Sequence, residues 1–471
     1  MSIVIFVNGA VILFAAVLMA ADAALFPATA GVFLTAAVLA GAVGLFVMIA
    51  TRSAKARLDR LHAFLLTASI WLVAGLVGAL PLWVWALDPV DAIFEAMSGI
   101  TTTGSTVMSG LDDTPRGILF WRALLQLLGG VGFVVTGMAL LPMLRVGGMQ
   151  LYRTESSEKG EKELRTAAAY ALATLTIYLG LVLLAAITYW AGGMSPFDAT
   201  THAMTTLSTG GYSNYDASFG HFTSPFLQWS ATLFMLAGGL PFVWYIRVYT
   251  RRTFHSEQVT AFLGSVAVVI LLLTVWLAWA DAVPLAVALR LVAFNVVSVV
   301  TTTGYATADY LTWGPVFAVA FFVLTPVGGC TGSTAGGAKA MRWLILFRAV
   351  KDRVRAINLP HGVFVTRYEG RAVSDDVLSG VVSFFFFYVL TVGVVAIILD
   401  FEGLDTLTAL SAALTAVANV GPGVGEIVGP AGNFATLPDF AKSVLAFAMY
   451  AGRLEMLTVF VLFTPAFWRA L

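Results

Sequence analysis

Long apolar stretches alternate along the chain with shorter polar segments, and several approach the length that crosses a bilayer. Residues 3–20, 28–50 and 376–399 are each near the roughly 20 residues that a spanning helix needs. Other long stretches are separated by half-apolar segments of about 12 residues, which are too short to span. Each short segment ends in a run rich in threonine, glycine or asparagine. The pattern predicts a polytopic α-helical membrane protein.

The polar runs align without gaps and reveal an internal repeat. The aligned segments are EAMSGITTTGS at 95–105, HAMTTLSTGGY at 202–212, NVVSVVTTTGY at 295–305 and AALTAVANVGP at 412–422. One column holds glycine in all four segments, namely Gly104, Gly211, Gly304 and Gly421. Spacings of about 90 to 120 residues are too long for a solenoid repeat and fit a small membrane module.

Each repeat has the same order of parts: a long apolar segment, a short helical segment, the polar run and a second long apolar segment. The first long segments cover about 63–87, 166–190, 259–280 and 376–399, and the second cover about 117–144, 224–249, 313–348 and 440–467. Two further spans within residues 1–50 bring the predicted crossings to ten. The predicted fold class is an all-α polytopic membrane protein with four helix–pore-helix–loop–helix repeats around one pseudo-fourfold pore. The predicted domains are residues 1–57 for the two extra N-terminal transmembrane helices, and 58–150, 151–255, 256–358 and 359–471 for the repeats.

Composition supports a membrane protein and excludes several other classes. Only 11% of the residues are charged, whereas a soluble globular domain carries about 25%. The net charge is zero, so nothing indicates a nucleic-acid partner. The single cysteine, Cys330, excludes an internal disulfide and a cysteine metal cluster.

The basic residues predict the orientation in the membrane. Of the 26 lysines and arginines, 20 fall on one predicted side, within 51–61, 145–165, 247–252 and 342–371 and at Arg469. The positive-inside rule makes that side cytoplasmic. We therefore expect a multi-pass protein of the bacterial cytoplasmic membrane, with both termini in the cytoplasm and all four polar runs entering from outside.

Acidic residues dominate the predicted outer side. They are Asp88, Asp91, Glu95, Asp112, Asp113, Asp198, Asp216, Asp281, Asp309, Asp400, Glu402, Asp405, Glu426 and Asp439. Three of them, Asp91, Asp198 and Asp405, are placed to start short helices, where carboxylates are favoured. As a set, the acids are expected to concentrate cations at an entrance.

The polar runs need a special environment, because non-helical backbone at membrane depth is tolerated only inside protein or beside a water-filled cavity. Glycine permits the positive φ angles that turn carbonyls inward. Four such loops around one axis would supply uncharged oxygens that replace the hydration shell of a monovalent cation. The alternative is that the loops are re-entrant structure that only packs the helices together.

The order TTTGS, STGGY, TTTGY and NVGPG resembles the Trk/Ktr/HKT superfamily of potassium transporters, specifically its bacterial TrkH-like branch. The resemblance covers essentially the whole chain and implies channel-like potassium uptake, with potassium as substrate and no organic cofactor. It implies a selectivity filter made of Thr102, Thr103, Gly104, Thr209, Gly210, Gly211, Thr302, Thr303, Gly304, Asn419, Val420 and Gly421. Gly210 and Val420 depart from the Thr-Thr-Gly pattern, so the pore should be only approximately fourfold. No glycine column holds the serine that sodium-admitting members can carry, which favours potassium.

Small residues interrupt the second long segment of each repeat about 25–30 positions after the filter glycine. The interruptions are LGGVG at 128–132, AGGLP at 237–241, PVGGCTGSTAGGAK at 326–339 and AGRLE at 451–455. Glycine costs about 1 kcal/mol in a helix interior, so we expect breaks there. Close packing of small residues is the alternative for the first two, and the third is predicted to be an unwound loop.

The resemblance implies that the third interruption is an intramembrane gating loop with an arginine beside it. The predicted gate residues are Gly328, Gly329, Gly332, Gly336, Gly337, Lys339 and Arg453. We expect Arg453 to donate hydrogen bonds to loop carbonyls around 328–337 and to add a positive barrier, because a charge in mid-span is costly and usually functional. The alternative is a salt bridge between Arg453 and Glu455, and Lys339 has the alternative of snorkelling to the cytoplasm.

Other functions remain open at this stage. A potassium symporter coupled to protons or sodium is one alternative, and an organic-solute secondary transporter is a remote one. An intramembrane enzyme is disfavoured, because the five histidines show no paired metal spacing. The resemblance also implies a homodimer and a cytoplasmic nucleotide-binding regulatory ring. The basic loop at 342–371, with Arg348, Lys351, Arg353 and Arg355, would contact that ring or membrane lipid headgroups.

Overall fold

The computed structural model describes residues 2–52, 60–139 and 167–470, which are almost entirely helix and loop. The helices up to the first polar run are α1 (Ser2–Leu25), α2 (Ala30–Thr51), α3 (Arg60–Gly78), α4 (Leu80–Trp85) and α5 (Pro89–Ile100). The next are α6 (Arg116–Ala139), α7 (Ala167–Ala191), α8 (Pro196–Leu207), α9 (Pro225–Gly239) and α10 (Phe242–Arg251). They are followed by α11 (Glu257–Ala280), α12 (Leu285–Val300), α13 (Pro315–Leu324) and α14 (Ala340–Asn358). The last are α15 (Asp375–Phe401), α16 (Thr406–Ala418), α17 (Asp439–Arg453), α18 (Leu457–Phe460) and α19 (Pro465–Ala470).

One small hairpin lies on the predicted cytoplasmic side. Its strands β1 (Arg367–Tyr368) and β2 (Arg371–Ala372) pair antiparallel across the turn at Glu369 and Gly370. The predicted basic residues Lys55 and Arg57, those of 145–165, and the predicted domain boundaries at 57/58 and 150/151 lie outside the described residues.

Apolar helices of membrane-spanning length form the framework of the described chain. Seven helices are long and apolar enough to cross a bilayer, or up to nine if each of two sharply bent pairs is one span. Their outer faces carry large apolar side chains such as Phe46, Leu272 and Val389, each about two-thirds or more exposed. Since lipid is the solvent at these positions, such faces are expected. The described residues thus form a multi-pass, mostly helical membrane protein.

Four short helices, α5, α8, α12 and α16, occupy the positions predicted for the half-apolar segments. Their starts follow ordinary capping chemistry. The Ser195 hydroxyl accepts a hydrogen bond from the Asp198 N–H (3.1 Å), and the Asp405 carboxylate accepts one from the Thr408 N–H (3.0 Å). Most of their residues are buried, so these short helices lie inside the bundle. We refer to them as pore helices one to four.

The predicted interruptions are present in three of the four repeats. The pair α9 and α10 bends by 91° around Leu240, and the pair α17 and α18 with its 3-10 extension bends by 105°. Residues 325–339 leave the helical path between α13 and α14, so the predicted crossing at 313–348, the eighth along the chain, is not one continuous helix. We name residues 325–339 the intramembrane loop.

The predicted break at LGGVG is wrong. Helix α6 runs without interruption through residues 128–132. The glycines serve close packing instead: a Cβ on Gly129 would overlap the Ile100 carbonyl, and a Cβ on Gly130 would lie 2.9 Å from the Ser208 Cα. No proline follows Gly130 in the helix, whereas Pro241 cannot donate the helical hydrogen bond after Gly239.

Candidate functional site

The four polar runs adopt one backbone conformation. The residue two positions before each column glycine has a left-handed φ angle: 54° at Thr102, 53° at Thr209, 57° at Thr302 and 56° at Asn419. The next N–H then bonds back to the pore helix, from Thr103 to the Ser98 carbonyl (2.8 Å) and from Thr303 to the Ser298 carbonyl (2.8 Å). Because side chains rarely tolerate this angle, its recurrence in one column indicates a shared structural role.

The column glycines connect the four loops into a closed ring. A Cβ on Gly104 would overlap the Gly210 carbonyl oxygen. In the same way, Gly211 lies against the Thr303 oxygen and Gly304 against the Val420 oxygen. The ring closes where a Cβ on Gly421 would lie 2.8 Å from the Thr103 oxygen. Each loop therefore contacts the next in the order one, two, three, four, and only glycine fits at the junctions.

All four column glycines line a single cavity on one side of the ring, with a volume of about 280 Å³. Asp216 and Arg122 also contribute to its lining. The four loops therefore converge on one opening rather than on four separate sites.

Hydroxyl groups fasten neighbouring loops together one residue beyond the column glycine. The Tyr212 hydroxyl donates to the Glu95 carbonyl (2.7 Å), and the Tyr305 hydroxyl donates to the His202 carbonyl (3.3 Å). The Ser105 hydroxyl donates to the Gly421 carbonyl (2.9 Å). These bonds join successive repeats, so the ring has rigid walls.

Two side-chain oxygens, each two residues before a column glycine, have no hydrogen-bond partner among the described residues. They are the Oγ1 of Thr102 and the Oδ1 of Asn419, and both residues are about 1% exposed. Buried polar atoms are almost always paired. These oxygens are therefore available to a ligand that donates no hydrogen bond, such as a cation.

The intramembrane loop is tied directly beneath the ring. The Thr334 hydroxyl donates to the carbonyls of Leu207 (2.9 Å) and Gly238 (3.0 Å). The Gly336 N–H donates to the hydroxyl of Thr302 (2.6 Å), which lies two residues before the column glycine Gly304. The Gly337 N–H donates to the carbonyl of Ala418 (2.9 Å), the residue before Asn419. The loop thus contacts the ring in repeats two, three and four.

Arg453 contacts the intramembrane loop as predicted. Its guanidinium donates to the Thr334 carbonyl (3.0 Å) and lies 4.1 Å from the centre of the Phe133 ring. The alternative pairing with Glu455 is wrong, because that carboxylate accepts both of its 2.7 Å contacts from Arg342.

Lys339 does not snorkel to the cytoplasm. Its side chain is buried, with the residue 3% exposed, and its ammonium donates to the Ala335 carbonyl. The ammonium also lies 4.6 Å from the centre of the Phe133 ring. Lys339, Arg342 and Arg453 therefore place three buried cationic side chains around the loop, against one carboxylate, Glu455.

Several acids predicted at the outer entrance are used inside the protein. Glu95 is buried in a 2.8 Å ion pair with Arg122, and Asp91 pairs with Lys442 at 2.6 Å. Asp198 accepts hydrogen bonds from Ser195, Asn214 and Tyr215. Asp405 caps pore helix four, and hydrogen bonds from Thr408 lower the pKa of its carboxyl. Of the predicted acids in the described residues, Asp216 alone lines the cavity, so the predicted concentration of cations rests on fewer charges.

Sequence reasoning missed two buried side chains that hold the loops. Arg122 donates to the Ser213 carbonyl (3.0 Å) as well as to Glu95, and the Gln126 amide donates to the Gly210 carbonyl (2.7 Å). Both lie on α6, four residues apart and hence on one face. A charged and an amide side chain at that spacing in an apolar span was the available signal. His202 is also buried in the bundle, with its ring nitrogens 2.9 Å from the Asp198 carbonyl and 3.1 Å from the Ser213 hydroxyl.

Comparison with known proteins agrees with this geometry. The family model for TrkH, described as a cation transport protein, matches residues 31–470. The chain belongs to the TrkH family. The relatives found in this TrkH family are transport proteins rather than enzymes.

Two curated TrkH-family relatives illustrate the similarity. The Trk system potassium uptake protein TrkI of Halomonas elongata is 50% identical over 412 residues, which cover 86% of this chain and 84% of that protein. The Trk system potassium uptake protein TrkH of Escherichia coli is 35% identical over 442 residues, 91% of this chain and 90% of that protein. Among solved structures, the potassium transporter TrkH from Vibrio parahaemolyticus matches with a TM-score of 0.91 at 31% identity and covers 99% of both chains.

Proposed function

We propose that this protein takes up potassium ions across the bacterial cytoplasmic membrane through a channel-like pore. The four polar runs form the selectivity filter, with Gly104, Gly211, Gly304 and Gly421 at its junctions. The intramembrane loop and Arg453 form the gate beneath it. The names of the TrkI and TrkH relatives, which are potassium uptake proteins, support potassium as the substrate.

The closed ring of glycine–carbonyl junctions carries this proposal. A filter must hold oxygens at a fixed spacing so that they replace the hydration shell of one ion. The ring brings four loops to one cavity. The buried Thr102 and Asn419 side-chain oxygens, two residues before column glycines, have no hydrogen-bond partner among the described residues. The pore helices end at these loops, so the negative ends of their dipoles face the same region and favour a cation.

The region beneath the ring supports a gate. The intramembrane loop bonds to the filter column at Thr302 and to the end of pore helix four. Three buried cationic side chains surround this loop, and a positive charge on the path opposes the passage of a cation. Displacement of the loop would remove both the obstruction and its link to the filter.

The predicted cytoplasmic face carries exposed basic residues that could dock a regulatory partner. Lys351, Arg353 and Arg355 on α14 are exposed, and they fit an acidic face of a regulatory nucleotide-binding ring. Arg348 is less accessible, because it contacts Glu257 at 2.5 Å. We include in the proposal a homodimer, both termini in the cytoplasm, and the repeat boundaries set out above.

The deciding experiment is potassium uptake in a bacterium that lacks its own potassium transporters, with the wild type and Gly304→Ser compared side by side. Gly304 has a φ angle of 83°, and its added Cβ would overlap the Val420 oxygen. We expect the variant to lose about tenfold of its potassium uptake or to admit sodium, since overpacking costs about 1–3 kcal/mol.

Gly264→Ser is the matched control, because Gly264 lies on a spanning helix with nothing within 4 Å of an added Cβ. It should support growth at low potassium as well as the wild type does. Wild-type uptake that is indifferent to Gly304→Ser would show that the polar runs are only structural. Absence of wild-type uptake, with and without a coexpressed regulatory ring, would contradict potassium transport.

A further inference from the structure

The filter loop of repeat two lacks a side chain that the loops of repeats one and three use. In those repeats a threonine precedes the column glycine, and its hydroxyl bonds to another threonine two residues earlier. The Thr101–Thr103 hydroxyl pair is 2.7 Å apart, and the Thr301–Thr303 pair is 2.8 Å apart. Repeat two keeps a hydroxyl at Ser208 but has Gly210 in place of the second threonine. A glycine there would leave this loop with the most conformational freedom of the four.

Gln126 occupies the space left by the missing side chain. A Cβ on Gly210 would overlap the Gln126 amide. The amide nitrogen donates to the Gly210 carbonyl (2.7 Å), and its oxygen accepts from the Tyr212 N–H (3.1 Å). Gln126 is 0% exposed. One side chain from repeat one thus holds the backbone of repeat two on both sides of Gly211.

The Gln126 contact joins repeats one and two, and repeats two and four hold no amide in the same column. Gln126 lies three residues before Gly129, and the same column in repeats two and four holds Met235 and Met449, three residues before Gly238 and Gly452. Both methionines are 0% exposed, and a thioether donates no hydrogen bond. The two hydrogen bonds of Gln126, which we call the clamp, therefore compensate for the glycine at position 210 rather than serving a general packing need.

We propose that Gln126 is a selectivity-determining positioning residue, whose amide holds the Gly210 carbonyl at the spacing that a dehydrated potassium ion requires. The proposal rests on the function of the filter proposed above and adds a residue outside the four polar runs. The Gly210 oxygen is also the one against which Gly104 packs, so its position sets the junction between repeats one and two. Without the clamp, the loop can close around the smaller sodium ion.

The test measures the ratio of potassium to sodium uptake in cells expressing each variant. Gln126→Met installs the residue found in the same column of repeats two and four and removes the donor. Gln126→Glu keeps the shape and the acceptor for Tyr212 but faces the Gly210 carbonyl with an oxygen. Gln126→Met removes both clamping hydrogen bonds and Gln126→Glu removes the one to Gly210, so each variant should lower the ratio at least about fivefold. A smaller amount of protein in the membrane would lower both uptakes equally, so the ratio reports on the filter itself.

A double substitution provides a rescue. Gly210→Thr alone should lower the ratio, because its Cβ overlaps Gln126. When Gln126→Ala is also present, the introduced threonine side chain has room. Its hydroxyl then faces Ser208, as the corresponding hydroxyls face each other in repeats one and three. The φ angle at Gly210 lies outside the left-handed region, so the backbone accepts threonine. We expect the double variant to recover most of the ratio, which neither single change would do.

Gln228→Leu is the control, since Gln228 is a buried amide on α9 that donates to the Phe222 carbonyl (3.0 Å) away from the filter. It should leave the ratio unchanged. An unchanged ratio in Gln126→Met and Gln126→Glu, with Gly304→Ser still altered, would overturn this inference alone. If Gly304→Ser were also without effect, the filter itself would be refuted. A double variant that reaches the membrane without regaining selectivity would likewise count against the clamp.

Discussion

Arg453 takes the place of a glycine. The second glycine in LGGVG and AGGLP, Gly130 and Gly239, packs against the filter loop of the next repeat. In AGRLE the same column holds Arg453, so a long cationic side chain enters the region that two repeats leave to backbone contact. The Thr334 carbonyl and the Phe133 ring stabilise the buried charge. One residue therefore converts a packing position into a contact between repeat four and the intramembrane loop.

Replacing Arg453 with alanine should increase potassium flux. The change removes the hydrogen bond to Thr334 and a positive charge from the path. Loss of a charge-assisted hydrogen bond of about 1.5–3 kcal/mol would favour loop displacement by roughly tenfold or more. Radiotracer uptake into proteoliposomes measures this directly. Arg353→Ala, which removes an exposed arginine, is the control, and flux equal to the wild type in Arg453→Ala would refute the gating role.

At the scale of elements, the second helix in each of repeats one, two and four packs beneath its own pore helix through a glycine. A Cβ on Gly129 would overlap the Ile100 carbonyl, and a Cβ on Gly452 would overlap the Val417 carbonyl. Gly238 lies under the Leu207 carbonyl, at 3.0 Å from its added Cβ. Ile100, Leu207 and Val417 share one column at the ends of pore helices. These contacts set the height of the polar runs of repeats one, two and four relative to the surrounding helices.

Gly129→Ala should destabilise the protein by about 1–3 kcal/mol, because the added methyl group forces α6 away from pore helix one. Thermal unfolding in detergent gives the comparison. Gly132→Ala in the same helix is the control: among the described residues, its Cβ would meet only the Trp71 ring, at 3.7 Å. That control should be neutral or slightly stabilising, since alanine favours helix by about 1 kcal/mol. An equal loss of thermal stability in Gly129→Ala and Gly132→Ala would show that the close approach at Gly129 is unimportant.

At the scale of the whole molecule, buried charges join the repeats that enclose the pore. The Arg342 guanidinium of α14 contacts both Glu455 oxygens at 2.7 Å and lies 3.9 Å from the centre of the Phe384 ring. Arg342 precedes α15 and Glu455 follows it, so this ion pair connects repeat three to the bend of repeat four. Arg122 and Glu95 form a second buried pair near the cavity, at 2.8 Å.

Replacing Arg342 alone should lower the free energy of unfolding more than replacing Arg342 and Glu455 together. Arg342→Met leaves Glu455 buried without its ion-pair partner and is expected to lower stability by about 3–5 kcal/mol. Arg342→Met combined with Glu455→Met should recover much of that loss, because apolar residues can replace a buried pair at little cost. Thermal denaturation of the purified protein tests both. A double variant less stable than Arg342→Met would contradict the assignment.

Prediction from the sequence succeeded where a single segment carries the information. The short apolar segments were placed correctly as α5, α8, α12 and α16, because their length and polar endings are local features. The unwound segment at 326–339 was likewise predicted from its small residues. LGGVG and AGGLP look alike, yet only the second is broken, since proline follows its glycines. Snorkelling to the cytoplasm, the alternative for Lys339, is wrong because its ammonium lies against the Phe133 ring of repeat one, a partner that is far from Lys339 in the chain.

The sequence by itself determined the apolar spans, the four repeats and the column of glycines, since hydrophobic length and the need for positive φ angles are properties of short segments. Only the tertiary structure decided which carbonyl each glycine faces, that Glu455 pairs with Arg342, and that Gln126 clamps Gly210. These partners are far apart along the chain, and the distances between them depend on how the helices pack. Packing depends on all four repeats together, so the partners cannot be inferred from any one of them.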